Sequence, residues 1–138
     1  MTALVVDASV AIKWLIGEDG SDAAERLLVQ PLEFHAPELL KSEVASALWK
    51  NIIRGYFGLA EADAALGVLH RSVSAWHSTS DLIAEALSLA CELNHPVYDC
   101  HYLVLARQLE TKCITADERL LAKAGATGLI AGLADWKM

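Results

Sequence analysis

The chain opens with Leu4-Val5-Val6, followed at once by Asp7-Ala8-Ser9. Three consecutive apolar residues, two of them β-branched, predict a short strand buried on both faces. Ser9 then caps a helix over Val10 to Ile16. Gly17-Glu18-Asp19-Gly20 is a loop by composition, and Ser21 or Asp22 caps a second helix to about Val29, where Pro31 stops it. Its apolar stripe is Ala24, Leu27 and Leu28. Leu32 to Ala36 alternates as a short strand, and Pro37 takes a favoured first-turn position in a helix running from Glu38 to about Arg54. Gly55 and Gly58 bracket a turn ahead of a helix over Leu59 to His70. Ser72 to Trp76 is a short strand or an extended link. Ser80 caps a further helix to about Leu93, with Leu82, Ile83, Ala86, Leu87, Leu89 and Ala90 inward, and Asn94-His95-Pro96 ends it. A helix begins near Val97. Lys112 to Thr115 is a strand, Glu118 to Ala124 a helix, and Thr127 to Leu133 a last strand. Strands separated by helices predict an α/β fold, a short and mainly parallel central sheet flanked by helices on both faces in a three-layer sandwich. Neither a linker nor a repeat divides it, so residues 1–138 are expected to form one domain.

Four carboxylates sit awkwardly in this pattern. Asp7 follows the first buried strand, the place where open α/β sheets bind ligands. Glu43 falls inside the apolar arc of Leu39, Leu40, Val44, Ala47 and Leu48, where a lone charge is costly unless paired, protonated or bound to a metal. Asp99 opens a helix yet shares the inward face of Tyr102, Leu103 and Ala106. Asp117 lies just past the strand ending at Thr115. Each has an ordinary explanation: a turn or cap for Asp7, a rim position or a pairing with Lys50 for Glu43, the helix dipole for Asp99. For Asp117, Thr115 and Glu118 form a capping box that the Asp only decorates. Together the four describe one acidic pocket at the carboxyl edge of the sheet. Like charges so close must take up a proton or a cation. Oxygen-only ligands suit Mg²⁺ or Mn²⁺ better than zinc, and such sites handle phosphoryl groups.

Composition narrows the setting. Apolar residues make up 54% of the chain, enough for a core with apolar surface left over for a partner. With no run of about 18 apolar residues and no basic stretch ahead of the first apolar one, neither a membrane span nor a secretory signal is expected. Cys91, Cys100 and Cys113 are an odd set in apolar sequence without a CxxC pair, which suits reduced thiols in a cytoplasm. Cys91 and His95 stand four apart, but no second ligand pair completes a zinc site. The net charge of −7 argues against a broad basic nucleic-acid surface. It leaves room for a nuclease whose cations meet the phosphate, and for a partner carrying basic residues.

The motifs resemble a known family. Asp7-Ala8-Ser9 before a helix containing Leu15 resembles the opening motif of PIN-domain proteins. Glu43 in the helix beginning Pro37-Glu38-Leu39-Leu40 looks like their second acid. Tyr98-Asp99-Cys100-His101-Tyr102-Leu103-Val104-Leu105-Ala106 is similar to their third motif, and Thr115-Ala116-Asp117-Glu118-Arg119-Leu120 to their fourth. Length and motif order resemble the VapC toxins of VapBC toxin–antitoxin pairs. The resemblance implies a cytoplasmic Mg²⁺-dependent endoribonuclease, with Mn²⁺ as a substitute, acting on tRNA or rRNA and leaving a 5′-phosphate and a 3′-hydroxyl. Asp7 and Asp99 would be the principal metal ligands. Glu43 and Asp117 would complete the set directly or through water, with Ser9 and Thr115 hydroxyls in support. Cys100 and His101 fall at variable places and receive no role. A homodimer is implied, neutralised by a small antitoxin whose basic tail enters the pocket. Trp14 and Trp49 are the candidates for its docking groove, and Lys13 is a candidate phosphate contact, though a solvated surface position explains it as well. The rival reading is a non-catalytic module that keeps this fold and acts through its partner. A phosphoacceptor receiver-type domain ranks last, because it needs paired acids after the first strand, where Ala8 and Ser9 stand.

Overall fold

The computed structural model describes residues 1–137. Five strands form one parallel sheet in the order β3-β2-β1-β4-β5: β1 Thr2–Val6, β2 Leu32–Pro37, β3 Ala75–His77, β4 Cys113–Thr115 and β5 Ile130–Gly132. Seven helices connect and flank them: α1 Ala8–Leu15, α2 Ser21–Leu28, α3 Leu39–Ile53, α4 Leu59–Ser72, α5 Ile83–Leu93, α6 Val97–Gln108 and α7 Glu118–Ala124. The expected parallel α/β architecture is the one observed.

Topology sets where a site can form. The chain builds outward from β1 through β2 to β3, then crosses back to lay β4 on the other side of β1. Right-handed crossovers put the helices of the outward path on one face and those of the return path on the other. The connections therefore diverge between β1 and β4, leaving a crevice beyond their carboxyl ends. Val5 and Val6 pair with Cys113 and Ile114 in that register. The Asp7 N–H continues the ladder to the Ile114 carbonyl at 3.4 Å.

The core explains the strand sequences. Leu4, Val5 and Val6 are essentially inaccessible, as a central parallel strand covered on both faces requires. The middle of α6 is buried from Cys100 to Ala106 without a break, and it packs across β1, β2 and β4. A helix apolar all round is a core helix, and α6 is this molecule's.

Several sequence expectations shift. Pro37 ends β2 instead of opening α3, because its carbonyl side still pairs beside His77. The region before α5 is a single helical turn, Thr79–Asp81, so Ser80 lies within that turn and caps nothing. Ile83 and Leu87, expected inward, are more than half exposed; Leu82, Ala86, Leu89 and Ala90 alone fill the buried arc, which a helix lying on one face of the fold can satisfy with fewer residues. Cys91 is exposed, while Cys100 and Cys113 are buried. The last strand shrinks to three residues between two short helical turns. Among the described residues, no helix is long and apolar enough to cross a membrane.

Candidate active site

Asp7 is both a cap and more than a cap. Its extended backbone ends β1, and its side chain, not that of Ser9, caps α1 by accepting the Val10 N–H at 3.2 Å. Ser9 sits inside the helix, where its hydroxyl donates to Asp7 Oδ1 at 2.6 Å and accepts the Ala116 N–H at 2.8 Å. Thr115, fully buried at the end of β4, donates to Asp7 Oδ2 and accepts the Asp117 N–H at 3.0 Å. The two hydroxyls thus serve one carboxylate and clamp the β4–α7 turn to the start of α1.

Burial dominates the acid–base behaviour of Asp7. Only 6% of its surface is exposed. Desolvation raises its pKa from 3.8 to about 6, against the lowering effect of its three hydrogen bonds, and the charge of Asp99 adds to the rise. Glu43 projects from α3, one turn past Leu39 and beside buried Val44. It accepts a hydrogen bond from the Tyr102 hydroxyl of α6. Its pKa is raised too, first by burial and then by Asp99, with the Tyr102 bond and the nearby His101 charge opposing. Tyr102 is held far above the ordinary phenol range by burial and by Glu43, so it stays a donor. Asp99 stands in the first turn of α6, half-exposed, with Oδ2 2.6 Å from His95 Nε2. Asp7, Glu43 and Asp99, distant in sequence, therefore share one electrostatic neighbourhood.

Asp117 stands apart from the other three. Its Oδ1 accepts the N–H groups of Arg119 and Leu120, at 2.9 and 3.3 Å, so Asp117 itself caps α7. The expected Thr115–Glu118 capping box does not form, because the Thr115 hydroxyl is spent on Asp7. Asp117 joins the site through that hydroxyl and keeps Oδ2 open.

The donor set suits a hard divalent cation. Glu43, Asp99 and Asp117 each keep one oxygen without a protein partner among the described residues, and Asp7 Oδ2 accepts a single bond. No three Asp, Glu, His or Cys side chains among the described residues converge closely enough to ligate one ion directly. Mg²⁺ tolerates that arrangement, since it retains several waters and takes only one or two carboxylates directly. Zinc, which wants a closed tetrahedral nitrogen and sulfur set, does not fit.

Other expected residues find different work. Lys13, 15% exposed at its side chain, reaches Glu18 at 3.2 Å and the Asp19 carbonyl at 2.7 Å, so it pins the α1–α2 loop and is neither a freely solvated side chain nor one left open for a phosphate. The Trp14 indole N–H donates to the Ala24 carbonyl at 2.8 Å, and its ring meets Phe34 edge-on at 5.0 Å. It fastens α1 to α2 and β2 and is not free to line a groove. Trp49 remains exposed on α3. Cys100 is buried with its thiol pushed up to about 11, first by desolvation and then by Asp99, and so is inert at neutral pH. Sequence pattern gave no role to Tyr102, His95 or His101. Only the four-residue spacing of His95 and Asp99 hinted at a pair. His101 is 2% exposed; its Nδ1 hydrogen donates to the Val97 carbonyl at 2.9 Å, while Nε2 has no partner.

Residues 4–126 match the PIN domain family. The chain is 36% identical over 122 residues to the ribonuclease VapC3 of Pyrobaculum aerophilum, covering 87% of this chain and 93% of that protein. Among solved structures, a toxin–antitoxin complex from Klebsiella pneumoniae superposes with a TM-score of 0.72 at 15% identity, covering 98% of this chain and 99% of that one. The sarcin–ricin loop cleaving toxin VapC20 of Mycobacterium tuberculosis gives 0.70 at 20% identity, covering 91% and 95%. At those identities the two structures speak for the fold alone.

Proposed function

This chain belongs to the PIN domain family, with VapC ribonucleases among its relatives, and from that premise we propose that it is an Mg²⁺-dependent endoribonuclease, the toxin of a cytoplasmic toxin–antitoxin pair. The observation that carries the reading is that Asp7, Glu43 and Asp99, from three separate elements, lie near enough for the charge of Asp99 to raise the proton affinity of both others. A fold seldom tolerates such repulsion without use for it. Asp7 and Asp99 would hold the ion, with Glu43 and Asp117 completing its hydrated shell. When bound, Mg²⁺ supplies charge to the phosphate oxygens and acidifies water.

The chain's own groups do the rest. Thr115 and Ser9 fix both Asp7 oxygens, so the carboxylate is oriented before substrate arrives. Tyr102 holds one oxygen of Glu43 and leaves the other to accept a proton from the attacking water. The raised pKa of Glu43 makes it a better base than an exposed carboxylate. Water adds in line at phosphorus, the bond to the 3′ oxygen breaks, that oxygen takes a proton from solvent, and the products are a 5′-phosphate and a 3′-hydroxyl. The substrate is RNA, in tRNA or rRNA loops.

The surface supports the partner side of the proposal. Exposed Tyr56 lines a groove of about 520 Å³ whose walls also include Ile12, Ile16, Lys50 and Arg54, and Trp49 and Ile53 are exposed elsewhere on α3. A groove of that kind suits an amphipathic antitoxin segment. A second exposed apolar pair, Ile83 and Leu87 on α5, suits a second copy.

The test is cleavage of a structured RNA with and without Mg²⁺ by the wild type and by Asp7→Asn. Metal-dependent cleavage lost in the variant is expected. Identical traces from both proteins would replace the enzyme with a non-catalytic binding module.

A further inference from the structure

His95 takes no part in the motifs above, yet it is built rigidly against the site. It lies in the three-residue link between α5 and α6. Asn94 before it adopts a left-handed conformation, φ 51°, that closes α5. Pro96 after it fixes the entry to α6. The His95 N–H bonds the Ala90 carbonyl at 3.1 Å. Backbone freedom is therefore removed on both sides of the ring. The side chain is 9% exposed, and Nε2 meets Asp99 Oδ2 at 2.6 Å, a short contact just under the usual range of a charge-assisted N–H···O bond. Asp99 is 32% exposed at its side chain, and its Oδ1 has no protein partner among the described residues.

We propose that His95 is the positioning residue of Asp99: it donates Nε2–H to one carboxylate oxygen and so turns the other into the crevice toward the divalent ion. This rests on the metal reading given above. The physical reason is torsional. Asp99 occupies a first-turn position where its carboxylate has no backbone N–H of its own to cap, unlike Asp7 and Asp117, which are each fixed by two or more protein hydrogen bonds. Without His95 the Asp99 carboxylate rotates freely about its terminal bond and loses the fixed direction a hard cation requires.

Two amide replacements separate positioning from mere packing. In His95→Gln the side-chain nitrogen reaches about as far as Nε2; in His95→Asn it falls short. Mn²⁺ alone, titrated into the full chain and followed by paramagnetic resonance, reads affinity independently of turnover, and thermal melts check folding. Expected is a loss of about tenfold in Mn²⁺ affinity for His95→Asn, with His95→Gln within about threefold of wild type and both melting alike. Equal Mn²⁺ affinity in the two variants, tight or weak, overturns the positioning role. Asp99→Asn is the control for the premise: if it binds Mn²⁺ as the wild type does, the metal reading fails, whatever His95 does.

Discussion

A single buried carboxylate concentrates the energetic tension of this protein. Ionised Asp7 satisfies Ser9, Thr115 and the Val10 N–H, yet burial outweighs those bonds and lifts its pKa from 3.8 to about 6. The folded state therefore binds a proton more readily than the unfolded chain. Below the unfolded value neither state is ionised, and Asp7 costs nothing; as pH rises through 6 the folded state must ionise it, and stability falls. Asp7→Asn removes that cost while keeping the acceptor for Ser9 and Val10. In metal-free buffer the variant is expected to be more stable than the wild type by roughly 2 kcal/mol at pH 7.5, a gap that closes as pH drops toward 4. Denaturant unfolding in a chelator measures it. A variant less stable than the wild type at pH 7.5 would show that the hydrogen bonds, not desolvation, govern this residue.

At the scale of elements, the edge strand β3 is held by three residues of ladder and by side chains around it. His35 Nδ1 on β2 lies 2.9 Å from His77 Nε2 on β3. The ladder continues through the Glu38 N–H to the His77 carbonyl at 2.8 Å, tying β3 to the start of α3, the helix that carries Glu43. Lys41 lies 4.5 Å over the Trp76 ring on the same junction. The His77 pKa is lowered, first by burial and then by His35. The unfolded chain thus takes up the proton first, and this pair withdraws stability as pH falls below about 6.5, levelling off once the folded pKa is passed. Replacing His77 with Gln is expected to flatten that acid-side decline between pH 7.5 and 5.5. Parallel declines in both proteins would mean the imidazole pair has no part in it.

For the whole molecule, the proposed reaction would have an acidic chain meet RNA through bound cations, and its exposed apolar side chains include a pair on α5. Exposed Leu87 and Ile83 form one stripe on α5, and nothing in the fold's own core needs them. The proposed contact with a second copy through α5 predicts that Leu87→Glu is monomeric in light scattering where the wild type is dimeric, while the melting temperature stays within a few degrees, because Leu87 is already exposed in the fold. A variant that remains dimeric would move the interface elsewhere.

What the sequence by itself determined was the class of fold and which carboxylates fall out of the apolar pattern. Burial pattern along β1, α3 and α6 is local information, and a carboxylate inside an apolar stripe is visible without coordinates. Ser9 and Thr115 were legible locally only as caps; their supporting place beside Asp7 was an implication of the family resemblance. What only the tertiary structure decided was who touches whom. Asp7, not Ser9, caps α1, since the Ser9 hydroxyl is drawn to the β4–α7 turn more than a hundred residues away. Lys13 and Trp14 are engaged because the α1–α2 loop and α2 offer the Asp19 and Ala24 carbonyls, which only the folded chain brings near. Ile83 and Leu87 faced out because the width of a helix's buried arc depends on what it packs against, and periodicity alone is silent on that. The crevice itself came from the reversal of strand order between β1 and β4, a property of the assembled sheet that no single segment encodes.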